Sequence, residues 1–237
     1  MEIIAKIQTD FPTKFGIPRQ SGLTESLKGV ITFEPKYRNP QGVYGLDGYS
    51  HIWLLWSFSE NRRQRWSATV KPPRLGGNKR MGVFATRSPF RPNDIGLSCV
   101  KLEKVVIDEK KGPMLYVAGV DLMDQTPIYD IKPYIPYTDS HPEAKGGFSD
   151  DVKDYELMVE FPNHLLEHFP EEKREAVISV LKQDPRPAYQ SDETRRYGVE
   201  FAGFDIRFHV KDGLLTVCEI ENLASKVIYC RQDENEK

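Results

Sequence analysis

The 237-residue chain has little cysteine, and the three it has, Cys99, Cys218 and Cys230, lie far apart with no CxxC pair. That excludes a disulfide framework and a cysteine-held zinc site, and it points to a reducing compartment. No apolar run is long enough to span a bilayer and Met1 opens no signal-peptide pattern, so the protein is expected to be soluble and cytoplasmic. Several chemical fingerprints are also missing. No GxGxxG follows a strand, and Gly76-Gly77-Asn78-Lys79 lacks the spacing of an NTPase phosphate loop. No serine sits in a nucleophile elbow, and no Cys/His pair is suggested by local pattern. His164 and His168 have the four-residue spacing of zinc ligands on a helix, but no further ligand cluster accompanies them, and no metal is expected. Helix signals are scarce before residue 139.

Charge is plentiful and unevenly placed. The formal net charge is −2, yet Asn61 to Asn93 carries nine Lys or Arg residues and no Asp or Glu. Asp139 to Glu175 reverses this, with eleven acidic residues against four basic ones. Such segregation suggests a confined polyanion site rather than general coating of nucleic acid. Within the basic island, Gly76, Gly77 and Gly82 admit backbone conformations closed to other residues, while Pro89 and Pro92 stiffen the chain around Phe90 and Arg91. The expectation is a short apolar strand from Gly82 to Thr86, then a stiff loop directing Arg87, Arg91 and Asn93. A solvated basic face is the bland alternative. Hinges and aromatics among the charges favour an anion- or nucleic-acid-binding loop, with Arg62, Arg63, Arg65, Lys79, Arg80 and Arg91 as RNA contacts.

Along the chain, Glu2 to Gln8 reads as a strand, followed by a rigid Pro- and Gly-rich loop that presents Arg19 and Gln20. Gly29 to Phe33 is a second β run. Ser50 to Glu60 is almost continuously apolar and reads as a strand buried on both faces, with Ser59 and Glu60 at its exit. Leu97 to Asp108 and Met114 to Leu122 flank a hairpin turn, and Ile128 to Tyr134 follows. The expected fold is mainly β: a single-sheet antiparallel barrel over residues 1–138 and a small α+β domain over 155–237. In the latter, Pro170 to Gln183 carries helix signals, with Pro170 in the first turn and Val177, Val180 and Leu181 on one face. Phe201 to Val210 and Leu214 to Glu221 form a hairpin. Two prolines hold Arg186 extended, and Tyr189 offers a ring for base stacking, against the alternative of a rigid linker.

The polar residues at strand ends are Arg19, Gln20, Ser59, Glu60, Arg87, Arg91, Asn93, Asp121, Asp124 and Asp130. Barrel closure would let them converge at one mouth. Arginines there suit anionic groups, and carboxylates suit hydroxyls or a cationic centre.

PRQSG from Pro18, SHIWLLWSF from Ser50, PPRLGGNKRMGVFATRSPFRPNDIGLS from Pro72, DLMDQTPIYDIKPY from Asp121 and QDPRPAY from Gln183 resemble the TsaA-like family over nearly the whole chain. The resemblance implies S-adenosylmethionine-dependent N6-methylation of threonylcarbamoyl-adenosine beside the tRNA anticodon, on a barrel that binds the cofactor, in a homodimer. It implies cofactor contacts from Pro18, Arg19, Gln20, Ser59, Glu60, Arg87, Leu97, Asp121 and Asp124. Two positions depart from the family pattern: Ser59-Glu60 stands where His-Gln is usual, and Asp94 where Pro is. Asp121, Asp124 and Asp130 are the candidates for a general base. The competing readings are a non-catalytic RNA-binding barrel and an S-adenosylmethionine-dependent enzyme acting on a small molecule, the latter disfavoured by the nine-cation island.

Overall fold

The computed structural model describes residues 1–60, 66–72, 79–186 and 192–231. Strands β1 (Ala5–Gln8), β2 (Lys28–Phe33) and β3 (His51–Ser57) come first. A separate hairpin of β4 (Thr69–Val70) and β5 (Met81–Gly82) follows, then β6 (Ile95–Asp108), β7 (Gly112–Ala118) and β8 (Pro127–Pro133). Six of these close a barrel in the order β1-β2-β7-β6-β3-β8, every pair antiparallel, with β8 returning to β1. Closure leaves no edge strand, so the short strands gain full pairing. The interior is apolar. Ile7, Ile31, Ile52, Leu54 and Leu115 are fully buried, each worth about 1.5–3 kcal/mol relative to exposure.

Two expectations for the first half of the chain need correction. The β3 run is apolar throughout but is not buried on both faces: Ile52, Leu54 and Trp56 point inward, while Trp53 and Leu55 are half-covered. The outer cover is thin. Trp53 packs on Tyr134 with ring centroids 5.8 Å apart and donates its indole N–H to Asp139 at 2.9 Å. The expected strand from Gly82 to Thr86 is instead the end of β5 followed by a 3-10 turn at Val83–Ala85. The carbonyls of Val83 and Thr86 both turn toward the Arg91 guanidinium, which curls the chain.

The C-terminal region holds β9 (Met158–Glu160), β10 (Tyr197–Phe201), β11 (Phe204–Lys211), β12 (Leu214–Asn222) and β13 (Ile228–Cys230). The order is β10-β11-β12-β13, with β9 parallel to β12. A turn at Ala202–Gly203 splits the expected strand, so Phe201 closes β10 rather than opening β11. Two short helices, α1 (Pro136–Asp139) and α2 (Asn163–Leu166), precede α3 (Glu171–Lys182). Helix α3 buries Ala176, Val177, Val180 and Leu181, and Pro170 is its cap residue rather than its first turn. His164 and His168 serve β13: one bonds the Cys230 carbonyl, the other stacks on Tyr229. No helix among the described residues is long and apolar enough to cross a membrane.

The chain leaving β1 ties barrel to sheet. Phe11 is fully buried with its ring 5.1 Å from Phe201, the Ala202 amide donates to the Asp10 carbonyl, and Lys173 pairs with Asp10. That anchorage sets the start of the loop carrying Pro18, Arg19 and Gln20.

Candidate active site

The inward residues of β6 include Gly96, Ser98 and Val100. Ser98 is 1% exposed in an otherwise apolar barrel, so its hydroxyl needs partners. Trp56 lies opposite Gly96 on β3. A Cβ at Gly96 would come within 2.3 Å of the indole. Glycine therefore lets the ring lie against the strand, and its Nε1–H donates to Ser98 Oγ at 2.9 Å. Ser98 Oγ donates in turn to Asp121 Oδ1 at 2.6 Å. The indole has no acceptor capacity, so the chain Trp56 to Ser98 to Asp121 has one direction.

The Pro18–Gly22 loop lies over this point. The Gly22 amide donates to the Gly119 carbonyl at 2.9 Å, and the Cys99 amide to Ser21 Oγ at 3.1 Å. Gly119 has φ +73°, and a Cβ there would meet the Gly22 backbone at 3.2 Å, so a side chain would be strained and crowded. Arg87 donates to Gln20 Oε1, and Gln20 donates to the Arg19 carbonyl. Burial pushes the Asp121 carboxyl up to about 6, although the residue is only half-buried by surface area, because protein surrounds it on most sides. The bonds from Ser98, from its own and the Ser21 backbone amides, and the nearby Arg87 charge all act the other way. Gln20, Arg87 and Asp121, from three separate segments, thus meet at one end of the barrel.

The other expected site residues are placed as follows. Pro18 is buried and Arg19 exposed. Ser59 and Glu60 are exposed just beyond β3, and Leu97 is 51% exposed on the outer side of β6. Asp124 accepts from the Thr9 amide at 3.0 Å and so holds the exit of β1. Asp130 accepts from the next amide on its own strand and pairs with Lys132 at 2.9 Å. The structure does not bring these two carboxylates into the Gln20–Arg87–Asp121 group by any bond. Lys79 is exposed, Arg80 donates to Thr69 Oγ1 at 2.9 Å, and Arg91 donates to the Val83 and Thr86 carbonyls. Arg62, Arg63, Arg65 and Tyr189 lie outside the described residues.

Arg186 grips Asp184 with two bonds, at 2.7 and 2.8 Å, and Tyr155 donates to the same carboxylate at 2.9 Å. Burial pushes Asp184 up, but the bonds from Arg186 and Tyr155 together outweigh it and hold the carboxyl below its usual range. Residues 14–19 face Val180 and residues 183–186 across a cleft of about 240 Å³, which brings Arg186 opposite the stretch that leads into Gln20. Ser98 and Trp56 were missed as site residues in the sequence. The available signal was a hydroxyl at an inward position of a strand whose other inward residues are Gly96, Val100 and Leu102.

Residues 6–140 match the model of the tRNA-methyltransferase O N-terminal domain, and residues 154–223 match that of the corresponding C-terminal domain. The chain is 40% identical over 228 residues to the tRNA (adenine(37)-N6)-methyltransferase of Escherichia coli K12, covering 93% of this chain and 97% of the relative. It is 38% identical to a putative S-adenosylmethionine-dependent methyltransferase of Pseudomonas aeruginosa, covering 87% and 90%. A crystal structure of TrmO from Pseudomonas aeruginosa superposes with a TM-score of 0.73 at 31% identity, covering 92% of this chain and 96% of that one.

Proposed function

This chain belongs to the tRNA-methyltransferase O family, and on that premise we propose that it methylates N6 of threonylcarbamoyl-adenosine beside the tRNA anticodon, using S-adenosylmethionine. The observation that carries the reading is the convergence of Gln20, Arg87 and Asp121 at one barrel end. The donor set fits the cofactor. A guanidinium backed by an amide suits a carboxylate, and a carboxylate suits ribose hydroxyls or a positive centre. S-adenosylmethionine, when bound, supplies a methyl carbon on a sulfonium, open to in-line displacement, so positioning accounts for much of the acceleration.

The barrel takes the cofactor, with the Pro18–Gly22 loop and Arg87 orienting it. The C-terminal domain, through Arg186 and Tyr189, holds the tRNA. A carbamoylated N6 is a weak nucleophile because its lone pair is delocalised into the carbonyl. A carboxylate that accepts its proton raises the electron density on nitrogen as the bond forms. All three candidates accept structural bonds, but only Asp121 lies beside Arg87 and the Pro18–Gly22 loop, while Asp124 holds the exit of β1 and Asp130 pairs with Lys132. Asp121, raised to about 6, is ionised at neutral pH yet basic enough to take a proton.

Labelled S-adenosylmethionine incubated with unmodified and with threonylcarbamoylated tRNA tests this. Label is expected only in the threonylcarbamoylated tRNA. Transfer to both tRNAs would overturn the substrate assignment, and tRNA binding with no transfer would leave only an RNA-binding barrel.

A further inference from the structure

We propose that the exposed rings of Trp66 and Phe84 form a platform on which unpaired bases of the tRNA anticodon loop stack. The inference rests on the functional reading above and adds to it a site outside the barrel mouth. In the β4–β5 hairpin Thr69 pairs with Gly82 and Val70 with Met81. The Val83 amide donates to the Ala68 carbonyl at 2.9 Å, which extends the pairing toward Trp66 and Phe84. Their ring centroids end up 6.2 Å apart with planes inclined by 32°. Trp66 is 54% exposed and Phe84 71%. Neither ring belongs to the buried core. Two large aromatic faces held side by side in solvent expose apolar surface that packing does not explain.

The surroundings select the occupant. Arg91 sits with its guanidinium carbon 5.7 Å from the Phe84 centroid, fixed by its bonds to the Val83 and Thr86 carbonyls. Arg80 is bonded at the hairpin, on Thr69. Among the described residues the stretch from Asn61 to Asn93 carries Lys71, Lys79, Arg80, Arg87 and Arg91 and no acid. Aromatic faces set among cations match a single strand of nucleic acid, whose bases offer flat rings and whose backbone offers phosphates. An apolar protein surface would bring no opposite charge to these cations. The turn at Val83–Ala85 joins this hairpin to Arg87, so a strand lying on the rings leads toward the Gln20–Arg87–Asp121 group.

The test uses the full chain and an anticodon stem-loop RNA, with affinity measured by fluorescence anisotropy at several salt concentrations. Trp66→Ala and Phe84→Ala should each weaken binding roughly 5- to 150-fold. The salt slope should stay unchanged, because neither ring neutralises a phosphate. Trp66→Phe and Phe84→Tyr, which keep a ring, should bind nearly as the wild type does, and all four should bind S-adenosylmethionine normally. Wild-type affinity in both alanine variants would overturn the platform alone. So would a change of sedimentation state in the alanine variants with RNA affinity retained, since the rings would then serve a protein interface. No RNA binding by the wild-type chain would instead sink the functional reading.

Discussion

At the barrel end Arg87 reaches Gln20 and Ser98 reaches Asp121, so each partner comes from a distant part of the chain. On the β4–β5 hairpin Arg80 reaches Thr69 and Arg91 reaches carbonyls five and eight residues back, all within the same short stretch. One region is held by long-range bonds in a closed barrel, the other by local bonds on an exposed hairpin. The first plan fixes directions and suits a small ligand that must be aligned to a fraction of an ångström. The second fixes only neighbours and leaves charge facing solvent, which suits a polyanion met along its length. The division of labour predicts that substitutions at the barrel end act on cofactor binding and chemistry, and that those on the hairpin act on RNA affinity and its salt dependence.

The largest expected effect tests the first half. Arg87→Ala removes a charged donor, worth about 1.5–3 kcal/mol, so S-adenosylmethionine affinity should fall roughly 10- to 150-fold. The melting temperature should barely move, because Arg87 is not in the core. Calorimetric titration with the cofactor measures it. Unchanged affinity would remove Arg87 from the site and blur the contrast between the two regions.

A smaller loss is expected across the cleft. Arg186→Ala strips Asp184 of two bonds and leaves its half-buried carboxylate with Tyr155. Methylation of tRNA should fall roughly 10- to 15-fold, corresponding to about 1.5 kcal/mol, the lower end of the range for charged hydrogen bonds. Cofactor affinity should hold. Arg186→Lys keeps the charge but not the fork, and should recover only part of the activity. Equal loss of cofactor binding and methylation would point to local unfolding instead.

The fold was legible in the sequence where periodicity and turns agree. Strand β1, the hairpin between β6 and β7, and α3 fall where alternation and helix spacing place them. The even apolarity of β3 was misleading, because a barrel strand covered outside by one thin layer needs apolar residues on both faces without burying both. Strands β9 and β13 are three residues each and carry too little pattern to read. The candidate site was legible as a set of polar strand ends but not as contacts. Nothing local joins Arg87 to Gln20, 67 residues away, or Ser98 to Trp56, 42 away. The role of residues 10–17 as the tie between barrel and sheet has no sequence signal, since it depends on Phe201 and Ala202 arriving from the far end of the chain.

A third test uses pH and stays at the barrel end. Burial raises the folded Asp121 carboxyl from 3.8 to about 6, so the native state binds the proton more tightly than the unfolded chain does. Wild-type stability should therefore gain as pH falls from above 6 toward 4, and Asp121→Asn should lack this gain. Methyl transfer should run the opposite way, falling below about pH 6 as the base is protonated. Ser98→Ala deletes a bond to the charged carboxylate worth about 1.5–3 kcal/mol, which moves the inflection up by about 1.1–2.2 pH units. An inflection that stays in place would show that Ser98 does not bear on the carboxylate in solution.

The smallest effects are expected on the hairpin. Lys79 and Arg80 are exposed, and an exposed ion pair is worth about 0.2–1 kcal/mol. Lys79→Ser or Arg80→Ser should therefore weaken tRNA binding only about 1.4- to 5-fold. The affinity at one salt concentration is a poor readout for so small a change. The slope of log affinity against log salt is better, since every phosphate left without its cation should make it shallower by roughly one unit or slightly less. Cofactor affinity should be untouched in both variants, because neither residue bonds to the Gln20–Arg87–Asp121 group. A double variant should change the slope by the sum of the two single changes if each cation meets its own phosphate. A full wild-type slope in the double variant would mean that Lys79 and Arg80 form a solvated face, and that the RNA lies elsewhere on the molecule.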